Sequence, residues 1–413
     1  MDNIILSRNG VEAKNLRGSP CPQILRRFTP QNDKSLEKLS CIKAQGEGTT
    51  TPSPSGRRAG GEGFVIRLAP SDSEEGAMAR SPEVALAMDW GGTWARASVV
   101  NRQGEVLWNY RVANAQGVSK EQLIEDAEQL LRRAIDWCGN RSIAGLGVAI
   151  AGPVEAETGT LYGSPNLSTL NGVSLKALWE PTLGFPVFVG NDANLAALGE
   201  FQYGAGLEAR KQGNPPRTLL YMTVSTGIGG GVVDRGQMFL GASGVAVEVG
   251  HMTIDFSSIA PRCQCGNTGC LEALASGTAI AKIAQARLAR QDAQTSSLAA
   301  MKADTIDSEI VFEEAGKTDA LALSILEDVV LALSIGLTNL LHLYNPDLIV
   351  LGGGVTGGLI ELGLLPRINS LMLHRAMSDR HKEFRLVASR LGDSVGMIGA
   401  AGLVWEKVGT FEV

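Results

Sequence analysis

Residues 84–96 read VALAMDWGGTWAR. The run Val84–Met88 is apolar without alternation, which marks a strand buried on both faces. It stops at an acid, Asp89, and then at Gly91, Gly92 and Thr93 in a tight turn. Small residues let backbone N–H groups approach phosphate oxygens, and Thr93 adds a hydroxyl. Asp89 is suited to hold Mg²⁺ through water. Residues 218–231, TLLYMTVSTGIGGG, repeat the device, and residues 346–355, PDLIVLGGGV, use it a third time. A hairpin turn explains any one of these as well as a phosphate loop does. Three of them, each after an apolar strand, point to a nucleotide cleft. None matches G-x-x-x-x-G-K-[ST] or sits in a Rossmann G-x-G-x-x-G unit.

The remaining pattern is α/β. Residues 95–101 and 104–112 read as antiparallel partners of the first strand, and 119–138 has apolar residues at helical spacing. Residues 143–152 and 185–192 are apolar runs ending in Gly or Asp, as buried strands do. Ser276–Gln291 reads as a helix and Leu321–Tyr344 as a long apolar one, while 292–318 is polar and shows no clear period. The strand–hairpin–helix pattern begins at Val84 and again at Leu219. That duplication predicts two βββαβ-type lobes with a cleft between them.

The chain has 413 residues, room for two or three domains. Net charge is −6, so no broad basic surface is implied, and nucleic acid is not the expected partner. No apolar run approaches the roughly 20 residues that cross a bilayer. The N-terminus MDNIILSRNGVEAKNL has no signal-peptide layout. A cytoplasmic protein with no membrane partner is the expectation. Residues 1–77 differ from the rest: AQGEGTTTPSPSGRRAGGEG is rich in Gly, Ser, Thr and Pro and predicts disorder. One reading starts translation at Met78 or Met88 and makes the extension a gene-model artefact. A DNA-binding arm is the competing reading, but only SLEKLSCIKA offers a candidate amphipathic helix.

Residues 185–200, FPVFVGNDANLAALGE, end a strand at Asn191–Asp192 and start a helix. Phosphoryl transfer to an alcohol needs positioning, charge neutralisation and a base for the hydroxyl proton. Asp192 fits that base, and it equally fits a plain helix N-cap. Of six cysteines, Cys263, Cys265 and Cys270 lie together and follow His251 as H-x₁₁-C-x-C-x₄-C. A redox site calls for C-x-x-C, which is absent. Three sulfurs and one imidazole complete a tetrahedral Zn²⁺ shell, with no open position for catalysis.

With these pieces assembled, the sequence resembles the ROK family of bacterial sugar kinases and repressors. The carriers are DWGGTWAR, GVAIAGPVEAETGTLYGSPNL, GNDANLAALGE, STGIGGGVVDRGQMFLGASG, EVGH, CQCGNTGCLEALASGTAIA and PDLIVLGGGV. They span Val84 to about Val408. The resemblance implies a two-lobed actin-like ATPase (ribonuclease H-like) fold. The N-terminal lobe would be 78–190 plus a C-terminal helix at about 395–413. The second lobe would be 191–394, with a zinc loop at 251–270. It implies Asp192 as the base toward a sugar 6-hydroxyl. Asn166, Asn191, Glu248, His251 and Glu272 would bind the other hydroxyls, His251 being shared with zinc. Asp89, Gly91, Gly92 and Thr93 would face the transferred phosphate and Mg²⁺. Thr226, Gly227 and Gly229 would hold phosphates, with Gly352, Gly353 and Gly354 near the adenosine. ATP, Mg²⁺, structural Zn²⁺, a hexose such as glucose, and a homodimer or higher homo-oligomer complete the picture. A sugar-responsive repressor and an N-acetylhexosamine kinase are the alternatives within the family.

Three departures stand out. Val247 replaces the usual small residue before Glu248, the His251–Cys263 spacing is two residues long, and Trp90 and Trp94 flank the first glycine turn. Both tryptophans read as packing or surface residues.

Overall fold

In a computed structural model, residues 83–114, 117–164, 166–289 and 295–409 are described. The readings made for residues 1–77 and for a start at Met78 lie outside them. The first apolar run forms β1 (Val84–Trp90), paired antiparallel with β2 (Trp94–Val100), which pairs with β3 (Val106–Ala113). Helix α1 (Lys120–Cys138) then leads to β4 (Ile143–Ile150), parallel to β1. A small hairpin, β5 (Val154–Glu155) and β6 (Thr160–Leu161), and α2 (Leu175–Leu183) precede β7 (Val187–Asn191), which lies parallel to β4. The sheet order is β3-β2-β1-β4-β7. Short turns permit the antiparallel pairs, while parallel neighbours need crossovers.

After α3 (Asp192–Gln202) and α4 (Ala205–Lys211) the scheme recurs. Strands β8 (Thr218–Val224), β9 (Ile228–Asp234) and β10 (Gln237–Met238) form a meander. Strands β11 (Leu348–Gly352) and β12 (Arg385–Ala388) add parallel to β8, giving β10-β9-β8-β11-β12. The two sheets share one order, so the duplication read from the sequence is present in the topology.

Helices α5 (Leu271–Ala275), α6 (Gly277–Leu288), α7 (Ser308–Gly316), α8 (Ala320–Tyr344), α9 (Gly354–Glu361) and α10 (Leu365–Arg375) accompany the second sheet. The polar stretch 292–318, which showed no period, contains α7. Asp307 caps it by accepting from the Ile310 N–H at 2.9 Å. Helix α8 corrects the expectation that no apolar run approaches roughly 20 residues. An 18-residue window of it has mean hydropathy 2.0, so by length and composition it could cross a bilayer. Yet Ile325, Leu326, Val329, Val330, Leu333 and Leu337 are at most 1% exposed and pack into the core. A helix buried in a large core is apolar on most faces for the same reason that a spanning one is.

Period-two alternation decides what faces the middle of the molecule. Along β1, Leu86, Met88 and Trp90 join the outer core with α1 and α2, where Trp90 stacks on Trp179 at 5.9 Å. Ala85 and Ala87 turn inward, with Asp89 next on that face. Along β8, Leu220, Met222 and Val224 belong to the outer core, while Leu219 and Tyr221 turn inward. The inward faces pack on α3 and on the final helix, α11 (Val395–Lys407). These two helices meet at glycines. A methyl group on Gly399 would overlap the Leu195 carbonyl, and one on Gly199 would lie 3.0 Å from the Gly399 nitrogen. Overpacking of this kind costs about 1–3 kcal/mol. Gly399→Ala is therefore expected to lower the melting temperature measurably in thermal denaturation; an unchanged value would show that the helices can part at no cost.

Candidate active site

Asn191 ends β7 and caps α3: its Oδ1 accepts from the N–H groups of Ala193 and Asn194 at 3.0 and 3.1 Å. Its Nδ2 donates to the Gly152 carbonyl at 3.2 Å. The cap position is thus filled by Asn191 and not by Asp192, the first residue of the helix proper. Asp192 Oδ1 accepts from the Ala193 N–H at 2.8 Å. Burial raises the Asp192 carboxyl to about 6, with the charges of Asp89 and Glu248 adding to the rise. Burial also raises Asp89, against the opposing charge of Arg96.

Asp89 and Asp192 line one cavity of about 460 Å³ together with Arg96, Thr223 and Gly352–Gly354. The third glycine run does two jobs there. Gly353 has φ +88, and a side chain on it would meet the Val224 carbonyl, so only glycine fits where the backbones cross. Gly354 opens α9, whose unpaired N–H groups favour an anion. A second cavity of about 520 Å³ shares Ser225 and Gly354 and adds Thr226, Gly277, Lys282 and Phe312. Thr226 is held by the Thr278 hydroxyl, which donates to its carbonyl at 2.8 Å.

Several other expected phosphate residues make close packing contacts. A Cβ on Gly92 would lie 2.8 Å from Asn166 Cβ, so Asn166 sits directly on the first glycine turn. The Gly91 carbonyl accepts from Asn114 Nδ2 at 2.6 Å. Gly229 faces Ala193 of α3, and Gly227 faces Glu272. Gly91, Gly92, Thr93, Gly227 and Gly229 are not among the residues lining the two cavities.

The ligand atoms of His251, Cys263, Cys265 and Cys270 all lie within 4.8 Å of one another. Cys265 Sγ is 3.7 Å from Cys270 Sγ, and Cys263 Sγ is 3.7 Å from His251 Nδ1. A tetrahedral centre with Zn–S of about 2.3 Å has S–S edges of about 3.8 Å, so the donor set fits zinc. Nδ1 faces the sulfurs, which leaves Nε2 for another partner. Without a cation, burial and the adjacent sulfurs push the Cys270 thiol up to about 12. Gly269, at φ +70, packs on the Asp255 carbonyl and lets the loop close. Between His251 and Cys263, Phe256 and Ile259 project, 96% and 90% exposed.

Glu272 ties this loop to the second glycine loop. Its Oε2 accepts from the Ile228 N–H at 2.9 Å, and its Oε1 lies 3.7 Å from Cys263 Sγ. Val247 packs its side chain into the core, at 7% exposed, and carries the cost in its backbone: φ is +67. A β-branched residue rarely takes that conformation. The strain sits directly before Glu248, at the rim of the site.

The ROK family pattern matches residues 85–407. The chain belongs to the ROK family. It is 32% identical over 331 residues to a glucokinase of Halalkalibacterium halodurans, covering 79% of this chain and 96% of that one. It is 27% identical over 323 residues to a xylose repressor of Caldicellulosiruptor bescii, covering 77% of each. Among solved structures it resembles a ROK family glucokinase from Streptomyces griseus in complex with glucose and AMPPNP. That match has a TM-score of 0.63 and 28% identity, over 78% of this chain and 98% of that one. The mixed α/β architecture is therefore the actin-like fold of ROK sugar kinases. Kinases and repressors both occur among these ROK relatives, so fold alone does not choose between them.

The sequence reading missed Arg96. Its signal was present: in a hairpin turning at Gly91–Thr93, residue 96 falls opposite residue 89, as the observed register has it. The reading also missed Glu200, whose partners at 389–391 are far away in sequence.

Proposed function

We propose that this ROK protein phosphorylates a hexose hydroxyl with ATP, glucose being the first candidate, and that Asp192 is the general base. The observation carrying this is the cavity shared by Asp89, Asp192 and the Gly352–Gly354 run, with Asp192 raised to about 6. A base tuned near neutral pH accepts a proton and still ionises under working conditions. Asp192 takes the hydroxyl proton as the sugar oxygen bonds to the terminal phosphorus; the bond from that phosphorus to its bridging oxygen breaks, and ADP leaves. Mg²⁺, held through water by Asp89, would supply neutralising charge to the phosphates. Thr226 and the α9 N-terminus bind phosphate, and Asn166, Asn191, Glu248, His251 and Glu272 hold the sugar. His251, Cys263, Cys265 and Cys270 would hold a structural zinc ion. Residues 78–190 with the C-terminal helix from 395 would move as one lobe against 191–394.

Coupled ADP release across glucose, mannose, fructose, allose and the N-acetylhexosamines, with ATP or polyphosphate and Mg²⁺, tests the reading. Turnover with at least one hexose is expected, and none with any would reject it. The likeness to a xylose repressor keeps sugar-responsive DNA binding as the second reading. Salt-dependent binding of the full chain to its own promoter would favour it.

A further inference from the structure

Glu200, near the end of α3, is 0% exposed. Its Oε2 accepts from the Ala205 N–H at 2.8 Å. Its Oε1 accepts from Ser389 Oγ at 2.6 Å and from the N–H groups of Arg390 and Leu391 at 2.9 and 3.0 Å. One buried carboxylate thus ties the α3–α4 corner to the segment between β12 and α11. Ser389 Oγ in turn accepts from the Gly392 N–H at 3.1 Å, which tightens that turn.

The gripped segment is a wall of the Asp89–Asp192 cavity: Ala388, Ser389, Gly392, Asp393, Val395 and Gly396 all line it. The Asp393 carbonyl accepts from Arg96 Nη1 at 3.0 Å. Arg96 stands across the hairpin from Asp89 and is the one cation among the described residues lining this cavity. A nucleotide brings several negative charges toward three acidic residues here, Asp89, Asp192 and Asp393, and the glycine runs carry no P-loop lysine to meet them. Arginine presents a rigid fork of donors suited to phosphate, provided its direction is fixed.

We propose that Glu200 is a positioning residue for phosphoryl transfer: by gripping residues 389–391 it sets the Asp393 carbonyl that aims the Arg96 guanidinium at the transferred phosphate. Arg96 is the residue that meets the phosphate, and Glu200 acts through it. This rests on the kinase reading above.

The test is a cycle of Glu200→Gln, Arg96→Ala and the double variant. It is read by kcat and KM for MgATP, by the dissociation constant of Mg-AMPPNP, and by melting temperature. Arg96→Ala is expected to lower kcat/KM by roughly 100-fold, as loss of a transition-state donor does. Glu200→Gln should lower it about tenfold and weaken Mg-AMPPNP binding, while the double variant is no slower than Arg96→Ala alone. A purely structural Glu200 would instead lower the melting temperature and slow both backgrounds by the same factor, which overturns the proposal. Unchanged kcat/KM and unchanged nucleotide affinity in Glu200→Gln overturn it too. If Glu200→Gln does not fold, Ser389→Ala removes one bond of the same grip and enters the same cycle. A wild type that binds Mg-AMPPNP but turns over no hexose rejects the hexose kinase reading, and the affinity cycle still decides this one. A wild type that binds no nucleotide rejects both.

Discussion

Asp192→Asn is expected to lower kcat by roughly 100- to 10,000-fold, the usual worth of a general base, while sugar affinity changes little. The substitution keeps shape and keeps an Oδ1 that can accept from the Ala193 N–H, so the start of α3 is preserved. What it removes is the capacity to take a proton. The same residue predicts the pH profile. The ionised carboxylate is the base, and its pKa in the free protein is about 6 because burial and the Asp89 charge disfavour ionisation. As pH falls through 6 the base becomes protonated, so kcat/KM should drop about tenfold per unit below that point. In Asp192→Asn that acid limb should vanish. Coupled ADP release from pH 5 to 8, with calorimetric titration of sugar, measures both. A variant with near-normal kcat, or one that keeps the acid limb, would remove Asp192 from the role.

Loss of the proposed zinc ligands is the second large effect. Cys270 is 0% exposed and sits between the loop and α5. Cys270→Ala should abolish stoichiometric zinc and cost on the order of 4 kcal/mol or more, or roughly 8 °C in melting temperature for a domain this size. Chelation should cost sugar affinity or folding before it touches the phosphoryl step, because His251 belongs to the loop and Glu272 follows it at the start of α5. The Glu272 bond to Ile228 extends the damage: the second glycine loop loses an anchor, so nucleotide affinity should weaken as well. Metal analysis, thermal denaturation and sugar titration before and after chelation, with zinc added back, make the measurement. A metal-free protein with unchanged melting temperature and sugar affinity would reduce the four residues to a packed cluster.

Much of this was legible along the chain. Apolar runs ending at Asp89, Asn191 and the glycine clusters marked buried strands, because a strand covered on both faces has no polar alternation to show. His251, Cys263, Cys265 and Cys270 declared themselves because a tetrahedral donor set within one loop leaves a fixed spacing. Helix α7 did not declare itself: Val311 and Ala315 are its few buried apolar residues, and its cap lies in a polar stretch. The expectation on apolar run length failed at α8, because composition reports that a helix is buried but not what it is buried in.

The sequence by itself determined the family, the duplicated lobes and the acids that end strands, since those depend on periodicity and short-range spacing. Only the tertiary structure decided the division of labour between Asn191 as cap and Asp192 as free acid. It alone set Gly229 against Ala193 of α3, and joined Glu272 to Ile228. It also brought Glu200 to residues 389–391 and, through Asp393, to Arg96. A hydrogen bond is set by distances of about 3 Å, and separations of 44, 190 and 297 residues carry no local trace of it.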